Sequence, residues 1–284
     1  MDYKNGKIAQ QIIALQNEDG TWGNEFHSLA IPNGKKALTT EQALRRLKIL
    51  GFSIQDKPIQ RAVDCMTACL HGERRIDNYW EKTLDWDLYT KLMLSTWVRI
   101  FDPDNEIAVK FARHWARIIE KAFSGGTYSA EAYQKAYQEE FYKSAKGVRE
   151  IGFVTFYHVN LLQGLLSKET ESRMLDYVIN HENGIYYVYG KQISKLPDVF
   201  ASLETSRYLS AVEILSGYEL SKQKLGFVVK WLEDNADEHG EWDLGAKAKD
   251  NLYFPLSDAW RCAEYRKADC TGKVQAVLNH LKSC

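Results

Sequence analysis

No sign of charge predominates in this chain: Lys and Arg number 37, Asp and Glu 38, and the formal net charge is −1. A nucleic-acid backbone or an anionic membrane is held by a long-range positive field. Nucleic acid is therefore not an expected partner. Long hydrophobic runs are lacking too. The stretch Ile151 to Ser167 is free of formal charge, but it contains His158, Asn160 and Gln163 and is short for a bilayer span. It reads as a buried helix, and no transmembrane segment is expected. Met1 to Gln10 sets Asp2, Lys4 and Lys7 among isolated apolar residues, unlike the charged and then apolar pattern of a secretory signal, so a cytoplasmic protein is expected. The five cysteines, Cys65, Cys69, Cys262, Cys270 and Cys284, form no Cys-x-x-Cys pair, which speaks against zinc knuckles and a disulfide framework. Cys65 and Cys69, one helical turn apart, read as core packing. Also missing are a phosphate-binding loop, a dinucleotide glycine fingerprint, a nucleophile elbow, a His-Glu-x-x-His helix and an aspartate-rich magnesium motif.

A repeat is present. Ile8 to Leu15 has helical apolar spacing and runs into Gln16-Asn17-Glu18-Asp19-Gly20-Thr21-Trp22-Gly23. After a long loop, Asn24 to Lys36, a second helix opens at Thr39-Thr40-Glu41-Gln42 and continues through Leu44, Leu47 and Leu50. The same order recurs in Leu225 to Leu232, Asp237 to Trp242 and a capped start at Ser257-Asp258-Ala259-Trp260. A third copy runs from Met174 to Ile179, through Gly184-Ile185-Tyr186, to Leu203 to Leu215. Two weaker copies pair Ile59 to Leu70 with Leu84 to Ile100, and Ile107 to Phe123 with Ile151 to Leu166. Lys273 to Leu281 remains as a closing helix. Helical units whose starts recur roughly every 45 to 60 residues indicate a repeat architecture.

First helices of each pair are amphipathic, whereas Ile151 to Leu166 is nearly free of charge all round and must be enclosed by others. The expectation is an all-α fold, an α/α toroid of five helical hairpins in two concentric layers plus the closing helix, forming a single domain over residues 1–284. The second helices lie inside, with their amino-terminal ends at one mouth. Residues 129–150 form an insertion of helical character, whose tyrosines Tyr133, Tyr137 and Tyr142 continue a stripe from Tyr128 that reads as a docking face.

Gln16-x-x-x-Gly20-x-Trp22 resembles the QW repeat of the terpenoid cyclase and protein prenyltransferase superfamily, and Gly240-x-Trp242 looks like a second copy without its Gln. The resemblance implies that Gln caps a helix end, Gly permits the turn and Trp packs over it. Asp85-Trp86-Asp87-Leu88-Tyr89-Thr90 resembles the acid motif of class II terpene cyclases, with Leu88 where the family has Asp. That implies Asp85 and Asp87 as catalytic carboxylates. Phe156-Tyr157-His158 is similar to the zinc-ligand histidine segment of prenyltransferase β subunits. The resemblance makes His158 a catalytic residue, and with Asp85 and Asp87 a ligand set for a divalent metal harder than zinc. Trp86, Tyr89, Trp97, Tyr157 and Trp260 are the aromatics that such a cavity would present to an apolar or isoprenoid-like molecule.

Each of these residues also has a structural reading. Asp85 or Asp87 fits a helix N-cap, His158 a hydrogen-bonded core histidine, and the aromatics core packing. Three functions stay open on the sequence: an isoprenoid-type enzyme, a carbohydrate-active toroid enzyme taking a glycan between two carboxylates, and a non-catalytic binding or scaffold protein.

Overall fold

The computed structural model describes residues 2–28, 38–76, 84–141 and 151–282. Among them are twelve α-helices and one short 3-10 turn. The isolated bridges between described residues include Gln16 with Trp22, Thr155 with Tyr186 and Ile185 with Tyr189. The fold is all-α, as the periodicity predicts, and among the described residues no helix is long and apolar enough to cross a membrane.

Several successive helices pack directly on one another. Helix α1 (Lys7–Ile13) lies on α2 (Thr40–Ile49), and α3 (Lys57–His71) on α4 (Trp86–Phe101). Helix α5 (Glu106–Phe123) packs on α4 and carries α6 (Ala130–Phe141), while α7 (Phe156–Leu161) packs on α4. Next come α8 (Lys168–Asn180) and α9 (Leu203–Leu215). The short α10 (Ser221–Lys224) and α11 (Gly226–Asp234) both pack on α12 (Ala263–Lys282). First helices touch one another in series, α3 to α5, α5 to α8 and α8 to α10. Second helices do the same, α4 to α7, α7 to α9 and α9 to α12.

Short polar residues set where the second helices begin. Thr39 makes a reciprocal capping box with Gln42 at the start of α2, and Asp85, Thr155 and Ser202 each accept a backbone N–H at the start of α4, α7 and α9. Behind these caps the chain is enclosed. Leu92 to Val98 of α4 are buried on every face, and each such fully buried large apolar side chain contributes roughly 1.5–3 kcal/mol. Helix α5 instead buries one stripe, including Ala108, Ala112, Trp115, Ile118 and Ile119.

The two tryptophan turns are built alike. Trp22 donates its indole N–H to Ile12 O at 2.7 Å and its backbone N–H to Thr40 Oγ1 at 2.9 Å. Trp242 repeats both bonds, to Leu232 O at 2.7 Å and to Thr271 Oγ1 at 3.0 Å. Each indole thus closes the end of the first helix while its backbone docks on the second. Gln16 extends the first turn outward: its amide donates to Gly20 O at 2.9 Å and to Pro58 O, in the first turn of α3, at 2.8 Å.

Several expectations need correction. The last pair has no helix starting at Ser257. The backbone N–H groups of Leu256 and Ser257 donate instead to the buried carboxylate of Asp269, which holds this segment as a loop against the side of α12. Thr271, the counterpart of Thr40, shows that α12 is the second helix of this pair, and it absorbs the separate closing helix expected from Lys273. The helix expected over residues 151–166 spans only Phe156–Leu161, because Thr155 caps it and Gly164 turns the chain at φ 72°. Tyr133 and Tyr137 of the inserted helix do not form a docking face. They are buried, with Tyr137 edge-on to Trp115 at 5.7 Å between centroids. Tyr142, the remainder of the insertion, and residues 29–37 of the long loop lie outside the described residues.

Charge is not confined to the first helices either. Helix α2 buries Glu41, Gln42, Arg45 and Arg46. Arg46 donates to the carbonyls of Leu252 and Tyr253, at 3.3 Å each, and to that of Pro255, and Lys7 N donates to Asp258 at 3.1 Å. The first pair of helices is thereby tied to the loop that precedes α12.

Candidate functional site

A cavity of about 560 Å³ opens where α4 and α7 begin and where the loop after α8 passes them. Six tyrosines line it: Tyr89, Tyr128, Tyr157, Tyr177, Tyr186 and Tyr187, together with Trp86, Phe153 and two histidines, His27 and His181. The caps described above aim this wall. Asp85 starts α4 so that Trp86 and Tyr89, three residues apart, share a face, and Thr155 starts α7 so that Tyr157 falls in its first turn. Trp86 and Tyr89 pack ring against ring at 5.3 Å, and Tyr89 stands edge-on to Tyr157 at 5.6 Å. Tyr187 adopts φ 70°, a left-handed conformation that costs a bulky residue on the order of 1–3 kcal/mol. Its carbonyl receives Arg45 Nη1 at 3.2 Å, which holds that conformation in place.

Behind the aromatic wall sits Glu41, with 0 % of its surface exposed. Trp97 Nε1 donates to Oε1 at 2.7 Å, and Tyr157 Oη donates to Oε1 and Oε2 at 2.9 and 3.1 Å. His27 Nδ1 lies 2.6 Å from Oε2. A carboxylate only accepts, so its contact with His27 places a proton on Nδ1 and turns Nε2 toward the cavity. Nε2 is 3.5 Å from Tyr89 Oη, on the cavity wall. Burial first, and then the Glu41 charge, drive the Tyr157 phenol well above its ordinary range. Burial likewise raises Tyr89, and it pushes Tyr187 up to about 12. All three phenols keep their protons near neutrality and serve as hydrogen-bond donors. The site therefore combines apolar ring faces, phenol donors and a carboxylate-oriented imidazole.

Asp85, Asp87 and His158 are not brought together. The Asp85 carboxylate accepts the Leu88 N–H at 3.1 Å as the cap of α4, and Asp87 is exposed in the first turn of that helix. His158 is fully enclosed, with Nδ1 2.9 Å from Thr155 Oγ1 and its ring edge-on to Trp115 at 4.3 Å. Its Nε2 finds no hydrogen-bond partner among the described residues, and burial lowers its pKa to about 3, so the ring is neutral. None of the three lines the aromatic cavity, and among the described residues no three His, Cys, Asp or Glu side chains cluster as metal ligands. The three donors point to a helix end, to solvent and to a dry core, which does not fit a shared divalent ion.

Of the five aromatics singled out from the sequence, Trp86, Tyr89 and Tyr157 line the cavity. Trp97 stands behind Glu41 as a hydrogen-bond donor. Trp260 lies elsewhere, its indole N–H on Ala246 O at 3.0 Å and its ring against Phe254 at 5.3 Å. His27 and Glu41 carry no motif that marks them. Glu41 reads as an acid near a helix start, and His27 sits in an irregular loop.

No family model, curated protein or solved structure matches the chain.

Proposed function

We propose that the helices close into an α/α toroid with α2, α4, α7, α9 and α12 inside, and that the protein binds a small, largely apolar or isoprenoid-like molecule in the aromatic cavity, its polar group directed at His27. Closure is supported by the bonds from Arg46 and Lys7 to the segment before α12. The binding reading rests on one observation: a 560 Å³ cavity walled by six tyrosines and Trp86 whose polar end is an imidazole oriented by a buried carboxylate. Among the described residues no Lys, Arg, Asp or Glu lines the ring faces, which favours an uncharged, flat or chain-like ligand. His27 Nε2 is placed to take a hydrogen bond from a ligand hydroxyl, with Glu41 holding the ring in position. The polar role expected of the carboxylates at 85 and 87 thus falls to His27 in this reading. A cytoplasmic location, expected from the sequence, remains part of the same proposal.

The test is titration with farnesol, followed by tryptophan fluorescence, alongside mass spectrometry of molecules extracted from the purified protein. Saturable quenching that Trp86→Ala weakens about tenfold or more, with a disaccharide such as maltose inert, supports the reading. Maltose binding in place of farnesol, or farnesol binding that ignores both Trp86→Ala and Tyr89→Ala, overturns it.

A further inference from the structure

A second cavity, of about 300 Å³, is walled by side chains from α2, α4, α7, α9 and α12 together. Its residues lie toward the carboxyl-terminal halves of α2, α4 and α9, whereas the aromatic cavity is built at the starts of α4 and α7. Its wall is mixed. Trp97, Phe156 and Ile214 are apolar, and Arg45 and Lys48 stand three residues apart on the same face of α2.

The charges in this wall differ in what they already hold. Arg99 is engaged: its guanidinium donates to the carbonyls of Pro103, Leu161 and Gln163. Glu213 is engaged as well, by Lys273 at 3.3 Å and by the Tyr253 hydroxyl at 2.5 Å, with the Lys48 charge acting on it through space. Arg45 is not so provided. It is 5 % exposed, and among the described residues its bonds are long, 3.2 Å to Tyr187 O and 3.4 Å to Ser210 Oγ. Among the described residues no carboxylate lies within 4.0 Å of it. Glu41 and Asp250 act on it only through space. The Phe156 ring, 5.5 Å from the guanidinium carbon, backs the group. A guanidinium buried without an adjacent anion is costly, and a bidentate carboxylate offsets that cost in the geometry that this fork matches.

We infer that this cavity binds a small organic carboxylate, its charge on Arg45 and Lys48 and its apolar body against Trp97 and Phe156. Inorganic phosphate is the poorer occupant. It has no apolar body for these rings, and its second charge meets the Glu213 carboxylate in the same wall.

Isothermal titration calorimetry with benzoate tests this, with benzyl alcohol as the neutral isostere and inorganic phosphate as the competing anion. Benzoate is expected to fill one site and to bind about tenfold or more tightly than benzyl alcohol, the difference expected of a charge-assisted pair. Lys48 is exposed, so Lys48→Gln folds whatever becomes of Arg45→Gln, and it is expected to weaken benzoate several-fold. Trp86→Ala, in the other cavity, is expected to leave benzoate binding unchanged. Four results overturn the inference: no benzoate binding, benzyl alcohol or phosphate binding as tightly as benzoate, affinity untouched by Lys48→Gln, or affinity abolished by Trp86→Ala.

Discussion

Glu41 Oε2 and His27 Nδ1 stand 2.6 Å apart, with the carboxylate fully enclosed and the imidazole at a cavity wall. The Trp97 indole and the Tyr157 hydroxyl complete its hydrogen bonding. Substituting Glu41 by Ala leaves these buried donors unpaired, and a loss of about 3–5 kcal/mol is expected in urea unfolding. Glu41→Gln keeps the shape but also presents N–H groups to donors, and about 1–3 kcal/mol is expected. A Glu41→Ala protein as stable as the parent would mean that the carboxylate organises nothing around it.

His158 makes a pH prediction. Its folded pKa, lowered to about 3 by burial, lies below the ordinary value of about 6.5, so below that value the unfolded chain binds a proton that the folded chain refuses. Stability is complete above pH 6.5 and falls as the pH drops toward 3, with a limiting slope of about 1.4 kcal/mol per pH unit. Denaturant midpoints at pH 7, 6 and 5 are expected to decline in the parent and to decline less in His158→Gln, which does not titrate. Equal slopes in the two proteins would remove His158 from the acid response.

Gly20 and Gly240 occupy matching places before Trp22 and Trp242, yet substitution should separate them. Both have positive φ, 93° and 73°, but a Cβ at Gly20 would lie 2.4 Å from Arg61 O, whereas nothing stands within 4 Å of one at Gly240. Gly240→Ala meets only the backbone penalty, about 1 kcal/mol. Gly20→Ala must also push α3 away from the turn, and a loss of about 3 kcal/mol or more is expected. Thermal unfolding of the two variants side by side decides it; equal shifts would mean that the contact with Arg61 is loose.

What could be seen in the sequence follows from how local each signal is. Trp22 and Trp242 bond to carbonyls ten residues upstream, so their turns are written in contiguous residues and the repeat is visible. The all-helical character is visible for the same reason. The loop at Leu256 and Ser257 is not, because Asp269 holds it from a helix that comes later in the chain. His27 and Glu41 are not legible there on the same grounds: Tyr157 and Trp97, which give Glu41 its role, are 116 and 56 residues away from it. The short acidic stretch at Asp85 and Asp87 is the start of α4.

The acidic motif itself can be tested. Asp85 holds the Leu88 N–H at 3.1 Å, a service that Ser or Asn performs about as well. Asp85→Ala is expected to cost about 1 kcal/mol, and Asp85→Asn only a few tenths of that. Asp87 is exposed in the first turn, where a negative side chain interacts favourably with the helix dipole, and Asp87→Ala is expected to cost about 0.5 kcal/mol. If the aromatic cavity works through His27, none of these variants changes farnesol affinity, while His27→Ala does. A double variant, Asp85→Asn with Asp87→Asn, that stays folded but no longer binds farnesol would return the acidic pair to the centre of the function and displace His27 from it.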